Sequence, residues 1–335
     1  MASTETQSTA NLPFGTVSEL AEKLLVDRDG RIGGCRIRPQ STFRGETRVW
    51  FVQDENSGAR WFVKRFDEPR ILSRYVEGMR LIEELAGPGS GVVPMRVAGT
   101  DAVRGILITD AVPGGVASDV LIAGSRYDRL PAWPTVDLQQ LADRVARSLG
   151  AIWKSTGSSH EDLADHTAKA TADRILRKLA RLQRAAAPLW QTVRTRIEDV
   201  CARLKHNEHS RSLMIGDVDL ANMILVGDAV CFVDLDDVGV GDRQRDLACL
   251  LHRLEFARRN WKYAGHRINR VERQILQMID FAPDWPILAC YQVELQLDAI
   301  WSAIQFTSYK SLPVHGRSAR SLEVKLLSLL DVANS

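Results

Sequence analysis

Residues 214–248, MIGDVDLANMILVGDAVCFVDLDDVGVGDRQRDLA, constrain this chain more than any other stretch. Two apolar runs rich in β-branched residues, 223–226 and 230–233, are separated by a turn through Gly227-Asp228. That pattern is expected to form a hairpin, which returns the chain so that Asp234 emerges beside Asn222. Asp217 stands in a loop just after Leu213-Met214-Ile215, with Asn222 five residues on. An Asp that orients an attacking hydroxyl, with an Asn and a second Asp offering oxygens to a hard cation, are the parts a metal-dependent phosphoryl transfer needs. Asp242 and Asp246 follow, and both fit the commoner use of Asp as a cap of turns and helices.

The rest of the chain changes its period twice. Residues 17–26 read as a short amphipathic helix behind a polar leader, residues 1–15, expected to be disordered. From Gly34 to Phe66 the pattern is that of strands, with VWFVQ (49–53) and RWFVKRF (60–66) joined by the hairpin-turn residues Asp54-Glu55-Asn56-Ser57-Gly58. Residues 69–86 carry apolar positions at helical spacing and stop at Gly87-Pro88-Gly89. VVPMRVAG and GILITDAV read as two further strands, giving an antiparallel sheet with one helix inserted after the third strand. Pro113-Gly114-Gly115 breaks the pattern and marks the boundary between residues 16–112 and 113–335. Beyond it the chain is largely helical, over roughly 136–154, 169–187, 189–206, 244–264, 268–280, 287–306 and 319–332.

Length and charge exclude little but usefully. The 335 residues suffice for two domains, and a net charge of +2 points to no nucleic-acid partner. No apolar run reaches the roughly 18 residues of a membrane helix, and the N-terminus lacks the basic start and apolar core of a signal peptide. Cys35, Cys201, Cys231, Cys249 and Cys290 are odd in number and form no CxxC pair, so buried thiols are expected rather than a disulfide framework or zinc site. By elimination the chain is assigned to the cytoplasm. His160-Glu161-Asp162-Leu163 imitates a catalytic His-x-Asp-Leu, but Thr167 stands where an Asn is needed and no Asp-bearing strand pair follows, so it reads as a surface loop.

Ile215-Gly216-Asp217-x-x-x-x-Asn222, then Val233-Asp234-Leu235, then Gly241-Asp242-Arg243-Gln244-Arg245-Asp246-Leu247-Ala248, resembles the signature of the aminoglycoside phosphotransferase and choline kinase-like superfamily. That signature runs approximately His-Gly-Asp-x-x-x-x-Asn, a short hairpin, Ile-Asp-Phe/Trp, then Gly-Asp-x-x-x-Asp-Leu-Ala. By order of elements the resemblance covers about residues 30–330. It implies an α+β, bilobal protein-kinase-like fold, with a small antiparallel β-sheet N-terminal nucleotide-binding lobe and a larger, mostly helical catalytic and substrate-binding lobe. It implies a phosphotransferase acting on an alcohol group, with Mg2+ as cofactor and ATP or GTP as donor. Asp217 would be the catalytic Asp, Asn222 and Asp234 the magnesium ligands, and Asp246 would open and brace a helix of the large lobe. Lys64 would contact the α- and β-phosphates, with Glu77 of the following helix as its partner, or Glu83 or Glu84 near the helix end as alternatives. Gly45 would lie in the loop over the phosphates, and Thr109 and Ala111 in a hinge whose backbone reads the adenine edge. Ile215 replaces the family's usual His, and Leu235 its Phe or Trp.

Residues 252–335 carry slightly more Arg and Lys than Asp and Glu, and ARRNWKYAGHRINRVER is locally basic. A polycationic acceptor needs carboxylates for its ammonium groups. The composition therefore favours a neutral or anionic hydroxyl substrate, a sugar or sugar-containing metabolite or natural product. Two other readings stand beside it. One is a binding protein that kept the fold and lost turnover, prompted by Ile215. The other is a kinase of an antibiotic, a peptide or a lipid-linked glycan, for which the short stretch between Asp234 and Asp242 leaves little peptide-docking room.

Overall fold

The computed structural model describes residues 30–32, 35–43, 46–126, 137–155, 163–184, 189–206, 211–261, 264–308 and 319–334. The expected leader, the helix expected at 17–26, Gly45 and His160-Glu161-Asp162 lie outside the described residues. In chain order the first elements are β1 (Gly30–Ile32), β2 (Cys35–Phe43), β3 (Glu46–Asp54), β4 (Arg60–Arg65), α1 (Pro69–Leu85), β5 (Val97–Asp101) and β6 (Ile106–Asp110). Then come β7 (Gly115–Val116), α2 (Ala117–Arg126), α3 (Leu138–Lys154), β8 (Ala164–His166), α4 (Ala168–Arg184), α5 (Leu189–Lys205) and β9 (Ser212–Met214). Last are β10 (Met223–Val226), β11 (Ala229–Phe232), β12 (Gly239–Gly241), α6 (Arg243–Asn260), α7 (Gly265–Met278), α8 (Trp285–Ser308) and α9 (Ala319–Ala333). The chain divides into two compact units, Met1–Gly115 with Ile224–Asp236, and Val116–Met223 with Asp237–Ser335.

The first unit is built on a six-stranded antiparallel sheet in the order β1-β2-β3-β4-β6-β5. Alternation puts Trp50 and Val52, Trp61 and Val63, and Ile106 and Ile108 on one face, where they pack with Cys35, Ile37 and Ala98. The Asp54 carboxylate builds the β3–β4 turn by accepting from the backbone N–H groups of Asn56 and Ser57, and Gly58 supplies φ +72°. Pro69 opens α1, and Leu72, Tyr75, Met79 and Ile82 form its buried stripe.

Two strand expectations change. The sheet begins earlier, with β1 ahead of β2, so α1 follows a fourth strand rather than a third. VVPMRVAG is a strand only from Val97, because Pro94 has no N–H for a ladder and residues 91–93 pair elsewhere. Val93 N–H donates to Val230 O, and Val230 N–H to Gly91 O, which ties the β10–β11 hairpin to this unit.

The second unit holds α2 to α9 around a three-stranded sheet in the order β8-β12-β9. β12 runs parallel to β8 and antiparallel to β9. Helix α2 was not foreseen: Pro113-Gly114-Gly115 just before it reads as loop, and the first-turn acid Asp119 is a weak start signal. Arg267 of α7 donates to the Leu121 and Val120 carbonyls of that helix.

Glu294 of α8 is 2% exposed and holds together three cations, with Arg174 Nε at 2.7 Å, Lys178 Nζ at 3.0 Å and Arg245 Nε at 3.4 Å. Burial pushes its carboxyl up, but Arg245, Lys178 and Arg174 outweigh burial and hold it down at about 2. A depressed acid stabilises the fold above its unfolded value and loses that contribution as pH falls through the folded value. Glu294→Gln is therefore expected to lose about 3 kcal/mol at pH 7, both by linkage and because buried cations lose their partner. Urea unfolding of the two proteins should show the gap narrowing as pH drops from 4.5 toward about 2. A constant gap would refute the linkage.

Candidate active site

In the first unit, Lys64 projects from β4 and pairs with Asp234, and its ammonium lies 3.9 Å from Asp236 Oδ1. It also sits 4.7 Å from the Tyr75 ring centroid and 5.0 Å from that of Phe66. Asp234, two residues past the end of β11 and just before the turn at Asp236-Asp237, has φ +63°, the left-handed region unusual for a residue with a Cβ. Its backbone N–H donates to the Tyr75 hydroxyl at 3.1 Å, which anchors the turn to α1. Burial, the first cause, and the nearby Asp234 charge raise the Tyr75 phenol, so it stays protonated. Burial raises the Asp236 carboxyl too, against the pull of Lys64.

Glu77 does not have the place expected for it. It pairs with Arg80, at 2.7 Å, while Lys64 goes to the two aspartates. The reason is helical phase: Tyr75 and Gly78 share the buried face of α1, and a residue two positions after Tyr75 is turned about 200° from it. Thr109 is 4% exposed and lies in the sheet opposite Phe62 and Val97. The N–H of Ala111 donates to Arg60 O at 2.9 Å, and that of Asp110 to Arg96 O at 3.0 Å. Any nucleobase reading by residues 108–112 would use other backbone groups.

In the second unit, Asp217 ends a loop that leaves β9. Gly216, just before it, has φ +85°, and a Cβ there would run into the Asp237 carbonyl. The N–H groups of Ile215 and Gly216 both donate to the Asp246 carboxylate at 2.9 Å, as does Trp153 Nε1 at 3.0 Å. Asp246 is fully buried, and burial raises its carboxyl against those three bonds. Arg245, also buried, donates to Gly216 O at 3.2 Å. The loop backbone is thus fixed from α6, while the Asp217 side chain keeps 37% exposure. Ile215, where the motif has His, is 1% exposed and packs into the core.

Helix α6 continues along this loop at helical spacing. Cys249 Sγ lies 3.7 Å from Asp217 Oδ1, and Arg253 Nη2 donates to that same oxygen at 2.7 Å. Arg253 Nε is 3.5 Å from Asp219 Oδ2. The Asp219 side chain accepts from Ala221 N–H and starts the 3-10 turn that carries Asn222. Asn222 Nδ2 faces the Asp217 carbonyl at 3.4 Å. That orientation leaves Oδ1, the atom of an amide that can ligate a hard cation.

The sequence reading of Asp242 and Asp246 as caps holds for one of them. Asp242 caps α6 by accepting from Gln244 N–H. Asp246 instead braces the loop before Asp217, a part its sequence signal could have shown: an acid followed directly by Leu247-Ala248-Cys249-Leu250-Leu251 is buried with them and must find donors. Arg253 and Glu294 were missed for lack of any local motif, and Arg245 because its place in the 241–248 motif does not reveal its distant partners Gly216 and Glu294. Among the described residues, no group of three or more His, Cys, Asp and Glu could hold a metal ion. All five cysteines are buried and unbridged. No helix among the described residues is long and apolar enough to cross a membrane.

The fold is that of known small-molecule kinases. A choline kinase from Streptococcus pneumoniae superposes with TM-score 0.59 at 12% identity, over 92% of this chain and 96% of that one. A macrolide 2'-phosphotransferase from Brachybacterium faecium gives TM-score 0.53 at 18% identity, over 91% and 96%. An amicoumacin kinase in complex with AMP-PNP and Ca2+ gives 0.60 at 12%, over 94% and 93%. These likenesses establish the protein-kinase-like fold. No curated protein sequence matches the chain. A family model described as the phosphotransferase enzyme family matches residues 43–279, well over half of the chain, and the protein belongs to that family.

Proposed function

We propose that the protein transfers the γ-phosphoryl group of ATP or GTP, with Mg2+, to a hydroxyl of a small neutral or anionic molecule such as a sugar or a sugar-containing metabolite. One observation carries the reading: Asp217 presents a part-exposed carboxylate from a loop whose backbone the buried Asp246 holds at two successive N–H groups. A fixed carboxylate can orient an acceptor hydroxyl with little reorganisation, which is most of what a loose phosphoryl-transfer transition state asks of protein.

The proposal assigns Lys64 to the donor phosphates and Asp234 to the metal in the first unit, and Asp217 to the hydroxyl and Asn222 to the metal in the second. Aspartate and amide oxygens suit magnesium, which keeps few protein ligands and completes its shell with phosphate oxygens and water. A cation held by such oxygens would neutralise charge on the transferring group. The complex of the similar amicoumacin kinase with AMP-PNP and Ca2+ supports nucleotide and divalent-metal use.

The ion pairs of α6 support the acceptor class. Asp217 and Asp219 face Arg253, and Glu255 and Glu272 face Arg258, with Arg259 also on Glu255. Each of these carboxylates already faces an arginine, so an incoming ammonium group would have to compete with a resident guanidinium for it. Polycations are disfavoured by that arrangement. The test is magnesium-dependent ADP or GDP release with separate pools of sugars, nucleosides, aminoglycosides and amino alcohols. Release driven by the sugar or nucleoside pool is expected; release driven only by the cationic pools would overturn the acceptor class.

A further inference from the structure

We infer that His166 is the positioning residue of the Asp217 loop: its ring fixes the Asp237 carbonyl, and that carbonyl is the surface on which Gly216 rests. The inference builds on the assignment of Asp217 to the acceptor hydroxyl and adds a residue far from it in sequence.

Gly216 has no Cβ where the Asp237 carbonyl passes, so the residue just before Asp217 lies directly against that peptide. Asp237 belongs to the turn that leads into β12, outside any strand or helix. Its carbonyl is 2.7 Å from His166 Nε2. A carbonyl only accepts, so the ring carries its proton on Nε2 and donates. Burial, with the charges of Arg245 and Arg174, holds the imidazole well below the ordinary histidine value, which keeps it neutral.

The chain makes room for this ring. β8 runs parallel to β12 with Gly239 opposite Ala164 and Gly241 opposite His166. A Cβ on Gly239 would run into Ala164 O and the His166 ring, and one on Gly241 into the His166 backbone. Both glycines of Gly239-Val240-Gly241 therefore admit the strand that bears His166. The ring is 2% exposed, and its Nδ1 is buried without a hydrogen-bond partner among the described residues. An orphaned buried nitrogen is unfavourable. Phe or Leu would fill the space without it, and what they lack is the Nε2–H that reaches Asp237. Three polar braces then meet at Ile215 and Gly216 among the described residues: Asp246 on their N–H groups, Arg245 on the Gly216 carbonyl, and His166 on the peptide beneath Gly216.

The test compares His166→Gln, whose amide nitrogen can reach Asp237 O, with His166→Asn, one methylene shorter, and with His166→Phe. Amide hydrogen exchange is followed in the peptide covering 212–223, with the α9 peptide as internal reference, and in Asp217→Asn as control. Expected is exchange about 10-fold faster at 212–223 in the Asn and Phe variants, unchanged α9 exchange, and recovery in the Gln variant. With magnesium-ATP and the acceptor pool that the parent uses, kcat should fall about 10-fold in the same two variants while the nucleotide KM holds. Parent-like exchange at 212–223 in both, or no recovery with Gln, would overturn the inference. Should Phe prevent folding, the Gln–Asn pair still decides. Full turnover by Asp217→Asn, with the loop loosened in the His166 variants as expected, would remove the assignment of Asp217 and leave the brace standing.

Discussion

Asp217→Asn is expected to lower phosphoryl transfer by about 10²- to 10⁴-fold, the range typical of a lost proton-handling group, while nucleotide binding changes by less than about 2-fold. The split follows from the local construction. Asp246 holds the loop by its backbone, so the change in the Asp217 side chain leaves the loop where it is. Arg253 loses an anionic partner, but it is 40% exposed and keeps Asp219 within 3.5 Å, so the fold should lose little. Initial rates of ADP release and equilibrium binding of a fluorescent ATP analogue measure the two quantities. Parent-like turnover in this variant would show that Asp217 does not act on the acceptor.

The second expected result concerns Asp234. Replacement by Asn should weaken magnesium-dependent nucleotide binding by at least about 10-fold, as losing a ligand does no less than losing the groups that orient one. Asn is the informative substitution, because Asp234 sits at φ +63°, where Asn is tolerated and Ala is strained. Asp234→Ala should therefore show the same binding defect and an added loss of stability of about 1 kcal/mol. Both changes also remove the ion-pair partner of Lys64, which keeps Asp236 at 3.9 Å. Thermal shift with magnesium-ATP separates the effects: the parent should gain stability with rising ligand, and the variants should need far more of it. An Asn variant with the parent's shift would exclude a metal role for this side chain.

Local order in this chain can be read from residues close together. The stripe of Leu72, Tyr75, Met79 and Ile82, the alternation through Trp50, Val52, Trp61 and Val63, and the Asp54 turn are each written within a few positions. So are the Gly227 hairpin and the helices from Leu138 onward. Failures came where a neighbour in space overrode the local signal. Val92 left its expected strand for Val230, α2 formed straight after a glycine pair, and Glu77 turned away from Lys64 because Tyr75 already held that face.

The motif itself, Asp217, Asn222 and Asp234, was legible because short loops and a hairpin need particular residues at fixed intervals. The partners of its charges were not. Asp246 meets Ile215 across 31 positions, Arg253 meets Asp217 across 36, and Lys64 meets Asp234 across 170. A hydrophobic period records which face a residue buries, since burial depends on the face alone. An ion pair depends on which two faces meet, and no interval along the chain carries that information. Periodicity and turn chemistry were therefore enough for most of the elements, and the resemblance of residues 215–248 to a family signature was enough for the family. Only the packed structure decided that Asp246 braces a loop, that Arg253 accompanies Asp217, and that His166 stands under Gly216.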